Sequence, residues 1–87
     1  MQKEQAPKEE LENLLEQIKQ RHTEALKTLY ELTSSEIFAF SLSIVKNYHD
    51  AEDIMHNTFI TIFKNASLYI KNTNPKAWIF TITKNIA

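Results

Sequence analysis

The 87-residue chain contains neither glycine nor cysteine. A chain of this length and average composition would carry about six glycines, from a usage of about 7%. Tight hairpin turns and phosphate-cradling loops rely on glycine's freedom at positive φ. The absence weighs against β-rich folds and against nucleotide-binding enzymes of the P-loop or Rossmann kind. Without cysteine there is no disulfide framework and no thiolate metal site. Small secreted domains usually need such staples, so a reducing cytoplasmic compartment is the expectation. Met1–Glu10 has no apolar stretch of the kind a signal peptide requires. No apolar run approaches the ~20 residues of a membrane span, so no membrane partner is expected.

What is present suffices for one small domain with one core, since hydrophobic residues make up 43% of the chain. The net charge of −1 hides an asymmetry. Residues 32–59 hold Glu36, Asp50, Glu52 and Asp53 against Lys46 alone. Residues 60–87 hold Lys64, Lys71, Lys76 and Lys84 and no acid. An acidic middle and a basic end suit two different partners, one basic and one anionic.

Apolar spacing predicts an all-α, compact bundle of about four helices. Leu11, Leu14, Leu15, Ile18, His22, Ala25, Leu26 and Leu29 step by three and four along one stripe, on which His22 reads as a partly buried histidine. Residues 1–22 read as a polar tail and an amphipathic helix, and residues 23–87 as the main helical domain. Thr33 and Glu36 have capping-box spacing, which predicts a new helix or a kink there. Asp50 is the expected N-cap of the third helix, with Ala51, Ile54, Met55, Thr58, Phe59, Ile62, Phe63 and Ala66 on its apolar side. Its opposite side shows Asp53, His56, Asn57, Ile60 and Lys64. Asn74-Pro75 ends a loop over Ser67–Asn74 and opens the last helix. Trp78, Phe59, Ile62, Ile44 and Ile82 are expected in one core.

Few side chains carry chemistry. His49, Glu52, Asp53 and His56 cluster within eight residues but supply no full set of metal ligands, and helix capping and solvation explain them. No nucleophile is set beside a base within a catalytic motif. No enzyme activity, no metal and no cofactor are therefore expected. The last helix is more informative. With Trp78, Ile79, Ile82 and Ile86 turned inward, its outer face would show Lys76, Phe80 and Lys84 at intervals of four. Lysines meet phosphates and an aromatic offers a base-stacking platform, so this face suits single-stranded nucleic acid. Tyr69, in the preceding loop, would add a second platform.

From Asp50-Ala51-Glu52-Asp53-Ile54 onward the sequence resembles region 2 of extracytoplasmic-function sigma factors. The resemblance continues through Thr58-Phe59-Ile60 to Trp78 and the Ile82-Thr83-Lys84-Asn85 ending, with Leu29-Tyr30 and Phe38-Ala39-Phe40 matching upstream. It implies a transcription-initiation role. The Asp53, His56, Asn57 and Ile60 face would dock on a coiled coil of the largest RNA polymerase core subunit. The loop and last helix, through Tyr69, Lys71, Asn72, Asn74, Lys76, Phe80, Lys84 and Asn85, would capture unpaired bases of the minus-ten promoter element. An anti-sigma factor is a further partner the resemblance implies. Two departures predict weaker binding: His56-Asn57 replaces the family's Gln-Glu, and Thr81 and Thr83 stand where arginines are expected. The family continues beyond the position of Ala87 into a second domain, so this segment alone is not expected to recognise a whole promoter. The competing reading is a helical protein-interaction adaptor without DNA function.

Overall fold

The structure, a computed structural model, describes residues 7–87. Its elements in chain order are α1 (Lys8–Lys19), α2 (Thr23–Val45), α3 (Tyr48–Asn65), a single 3₁₀ turn (Ala66–Leu68) and α4 (Pro75–Ile86). There is no strand among the described residues. The all-α expectation holds.

The stripe that begins at Leu11 is divided between two helices. Leu11, Leu15 and Ile18 of α1 and Leu29 of α2 are almost wholly buried, but the chain turns between them. Arg21 adopts φ 67, in the left-handed region. The Arg21 N–H donates to the Ile18 carbonyl at 2.9 Å and the His22 N–H to the Gln17 carbonyl at 3.1 Å. These two bonds form a Schellman motif, a helix ending that glycine usually marks. With arginine in glycine's place, the sequence carries no sign of the stop. His22 is exposed at the start of α2 and makes no side-chain cap bond, so the partly buried reading is corrected.

The expected break at Thr33 does not occur. Thr33 is buried in the middle of α2, and its hydroxyl donates to the Leu29 carbonyl at 2.7 Å. Its oxygen is turned back along the helix, where it closes no new helix start. Ala25, Leu29, Thr33, Ile37 and Ser41 form one buried row, and α2 packs most extensively against α3. Lys46 ends α2 at φ 56, its N–H on the Leu42 carbonyl at 2.8 Å.

Asn47, not Asp50, caps α3: the Asn47 side chain accepts from the Asp50 N–H at 3.0 Å. Asp50 sits in the positive first turn instead. Asn74 caps α4 as expected, accepting from the Ala77 N–H at 3.0 Å, and Pro75 takes the first helical position.

The core joins Leu11, Leu15 and Ile18 to Leu29, Ile37, Met55, Phe59, Ile62 and Ile79. Helix α1 is therefore part of the same packed body as the rest. Phe59 and Ile62 are core residues as expected, and Trp78 and Ile82 pack against the core half-buried. Ile44 is 42% exposed and lies outside it. Near the end of a helix that outruns its contacts, an apolar residue can keep the right spacing and still find nothing to cover it.

Candidate docking face and nucleic-acid interface

Helix α3 divides cleanly. Ala51, Ile54, Met55, Thr58, Phe59 and Ile62 are buried, while Asp53, His56, Asn57, Ile60 and Lys64 are exposed. Ile60 is 51% exposed, an apolar residue in a polar strip. The His56 ring stacks beside Tyr30 of α2 at 6.3 Å between centroids, and Tyr30 in turn leans on Phe59 at 4.9 Å. Asp53 and Asn57 border a shallow cleft of about 260 Å³ with Val45, Ile54 and Ile86. This face offers a carboxylate, an imidazole, an amide and one apolar contact to a partner. Among the described residues no group of three or more His, Asp or Glu side chains is placed to hold a metal ion.

The loop and α4 differ from their sequence reading. Pro75, Ile79 and Thr83 point inward, so the outward face of α4 is Ala77, Thr81, Lys84 and Asn85. Phe80 is half-buried, edge-on to Phe40 of α2 at 5.1 Å. Lys76 is also half-buried, with its ammonium 3.1 Å from the Glu36 carboxylate. The expected row of Lys76, Phe80 and Lys84 is thus not an open surface; of the three, Lys84 alone is exposed. Helix α2, far away in sequence, supplies the partners for the other two.

Tyr69 is corrected as well. It is 2% exposed, edge-on to Trp78 at 5.4 Å, and its hydroxyl donates to Glu12 Oε2 of α1. It is a buried anchor of the loop, not an open stacking platform. The Asn72 N–H donates to the same Glu12 oxygen at 3.1 Å, which helps hold Asn72 at φ 69. Asparagine tolerates this left-handed conformation better than most residues. Burial is the main reason the Tyr69 pKa is raised, and the bond to Glu12 adds to it. Glu12 is lowered, mainly by the Tyr69 hydroxyl and then by the Asn72 N–H, Lys8 and Lys71, against an opposing effect of burial. Nothing in the spacing of α1 marks Glu12, which lies beside the apolar stripe rather than on it.

Lys71, Asn72, Asn74, Lys84 and Asn85 remain exposed, as does the loop's apolar pair Leu68 and Ile70, at 68% and 69%. Thr83 is fully buried, its hydroxyl 3.1 Å from that of Thr58 on α3. An arginine is therefore not accommodated at that position, and Thr83 takes nothing from an outer surface. Thr81 is exposed, and there the missing arginine does remove a charge.

The sigma-70 region 2 family model matches residues 29–87, well over half of the chain. The chain belongs to the sigma-70 region 2 family. It is also similar to the ECF RNA polymerase sigma factor SigM of Bacillus subtilis, at 28% identity over 57 residues, which is 66% of this chain. The matched segment spans 34% of that relative's length. No solved structure matches significantly. The matched region begins at Leu29, so α1 with Glu12 lies outside it, while Tyr69 and the loop that Glu12 contacts lie within it. Among the described residues no helix of this region 2 domain is long and apolar enough to cross a membrane.

Proposed function

We propose that this domain serves a sigma factor of the extracytoplasmic-function type. It docks on the coiled coil of the polymerase clamp through Asp53, His56, Asn57 and Ile60. It captures melted minus-ten bases through the loop and α4. The family membership carries the reading, and the exposure of all four docking residues on one helix face supports it. The charge split agrees with it: Asp53 faces a basic partner, while Lys71 and Lys84 stand open to phosphates. In this reading the domain acts in the cytoplasm, contributes no catalysis and holds no cofactor. An anti-sigma factor would compete for the same faces.

The adaptor reading draws on a specific observation. Tyr69 is buried, Lys76 is paired with Glu36 and Phe80 lies on Phe40, so the DNA surface is smaller than the family resemblance implies. Two titrations separate the readings. One measures binding to the isolated polymerase coiled coil, where Asp53→Ala should weaken docking by about 1.5 kcal/mol or more if water is excluded from the contact. The other measures single-stranded DNA, where Lys71→Ala with Lys84→Ala should reduce both affinity and its salt dependence. Coiled-coil binding without any DNA binding would establish the adaptor.

A further inference from the structure

The loop after α3 is hydrogen-bonded to α1 through a single oxygen atom. The loop also closes a turn on itself: the Thr73 N–H and hydroxyl both donate to the Ile70 carbonyl, at 3.3 and 2.6 Å. The N–H bond is longer than the ordinary range of about 2.7–3.2 Å, so the backbone closure is weak. At the third position of this turn Asn72 takes φ 69, a left-handed conformation that costs any residue with a side chain. Among the described residues, the bond from the Asn72 N–H to Glu12 is the one hydrogen bond that ties residues 70–73 to another element.

Glu12 is placed to fix the turn. Its Oε2 accepts from the Asn72 N–H at 3.1 Å and from the Tyr69 hydroxyl, so one oxygen pins two points of the loop three residues apart. Its own place is rigid, because Leu11 and Leu15 beside it on α1 are almost wholly buried and Glu12 itself is 6% exposed. The carboxylate is ionised at neutral pH, which makes both bonds charge-assisted. The other oxygen, Oε1, is buried and has no hydrogen-bond partner among the described residues. An unsatisfied buried acceptor costs stability, so stability alone does not account for a carboxylate here.

We propose that Glu12 is a positioning residue for the loop's contact with single-stranded DNA. It holds the turn in the conformer that presents Lys71 and Asn72 outward, and it acts through Tyr69 and the Asn72 backbone without touching the nucleic acid. The inference rests on the proposed function of the loop and adds to it a residue of α1, outside the matched family region. Apparent affinity falls in proportion to the fraction of molecules in the binding conformer. Losing both bonds from Glu12 should leave the held conformer a minority, and DNA affinity should fall about tenfold.

The test uses the full chain, with each variant checked for folding by circular dichroism. In Glu12→Ala the Asn72 amide should exchange with solvent deuterium about tenfold faster. The same variant should bind a thymidine single strand about tenfold more weakly. Its affinity for the isolated polymerase coiled coil should not change, because the docking face lies on α3. Glu12→Gln keeps a side-chain oxygen for both donors and should return DNA affinity to within about threefold of wild type. If Glu12→Ala does not fold, Tyr69→Phe takes its place: it removes one of the two bonds and should weaken DNA binding about threefold. Unchanged DNA affinity in the folded variant overturns the positioning role and leaves the proposed function standing. Equal losses toward DNA and the coiled coil show a merely structural role and overturn it too. No binding of the strand by the wild-type chain overturns the DNA-binding reading on which the proposal rests.

Discussion

The Lys76 ammonium of α4 lies 3.1 Å from the Glu36 carboxylate of α2, with both side chains about a third exposed or less. The pair spans the contact between a helix in the acidic half of the chain and one in the basic half. A phosphate that binds Lys76 has to displace Glu36. The acid therefore acts as an internal competitor for a lysine of the proposed DNA face.

Glu36→Gln should accordingly strengthen single-stranded DNA binding. A partly exposed pair contributes about 0.2–1 kcal/mol, so the gain should be about 1.5- to 5-fold. Freeing one lysine for phosphate should also steepen the slope of log affinity against log salt by up to about 0.7. Fluorescence anisotropy across a salt series reads both quantities. Unchanged affinity and slope would mean that Lys76 does not meet DNA.

Arginine should have opposite effects at two neighbouring positions of α4. Thr81 is exposed, so Thr81→Arg should leave stability within about 0.5 kcal/mol and raise DNA affinity. Thr83 is fully buried against Thr58, so Thr83→Arg should cost about 3 kcal/mol or more through an unpaired buried charge. Urea unfolding of the two variants compares them directly.

The Glu12–Tyr69 bond makes stability depend on pH at both ends. Glu12 titrates below its ordinary 4.5 in the folded protein, chiefly because of the Tyr69 hydroxyl. Its contribution is fully present above that ordinary value and is lost as pH falls through the lower folded value. Tyr69 titrates above its ordinary 10.0, chiefly because of burial. Its contribution is fully present below that value and is lost as pH rises through the higher folded one. Tyr69→Phe should abolish the alkaline loss from this residue and shrink the acid loss from Glu12. Urea midpoints measured at acid, neutral and alkaline pH check both limbs.

Three apolar positions should rank by burial rather than by size alone. Phe59→Ala should cost about 3–5 kcal/mol, as a 5% exposed core residue. Trp78→Ala should fall at or below about 3 kcal/mol, because the indole is only half-buried. Ile44→Ala, at 42% exposure, should change stability by less than about 1 kcal/mol. A loss at Ile44 as large as that at Phe59 would show that the end of α2 is covered in solution.

The sequence by itself determined the helical class, the buried and exposed sides of α3, and the Asn74-Pro75 start of α4. Each depends on residues within a turn or two of one another, where periodicity and capping act. Local spacing could not show that Arg21 takes the place of glycine at the end of α1, because backbone strain there is tolerated only with the surrounding contacts. It misled at Thr33, whose capping-box spacing is overridden by burial against the core. The open surface of α4 was decided by tertiary structure alone. Glu36 and Phe40 come from a helix some forty residues away to cover Lys76 and Phe80, and Glu12 reaches across 57 residues to bury the hydroxyl of Tyr69. A helix's amphipathic pattern states which side prefers to be buried, but only the packed neighbours determine which polar and aromatic groups remain free to meet a partner.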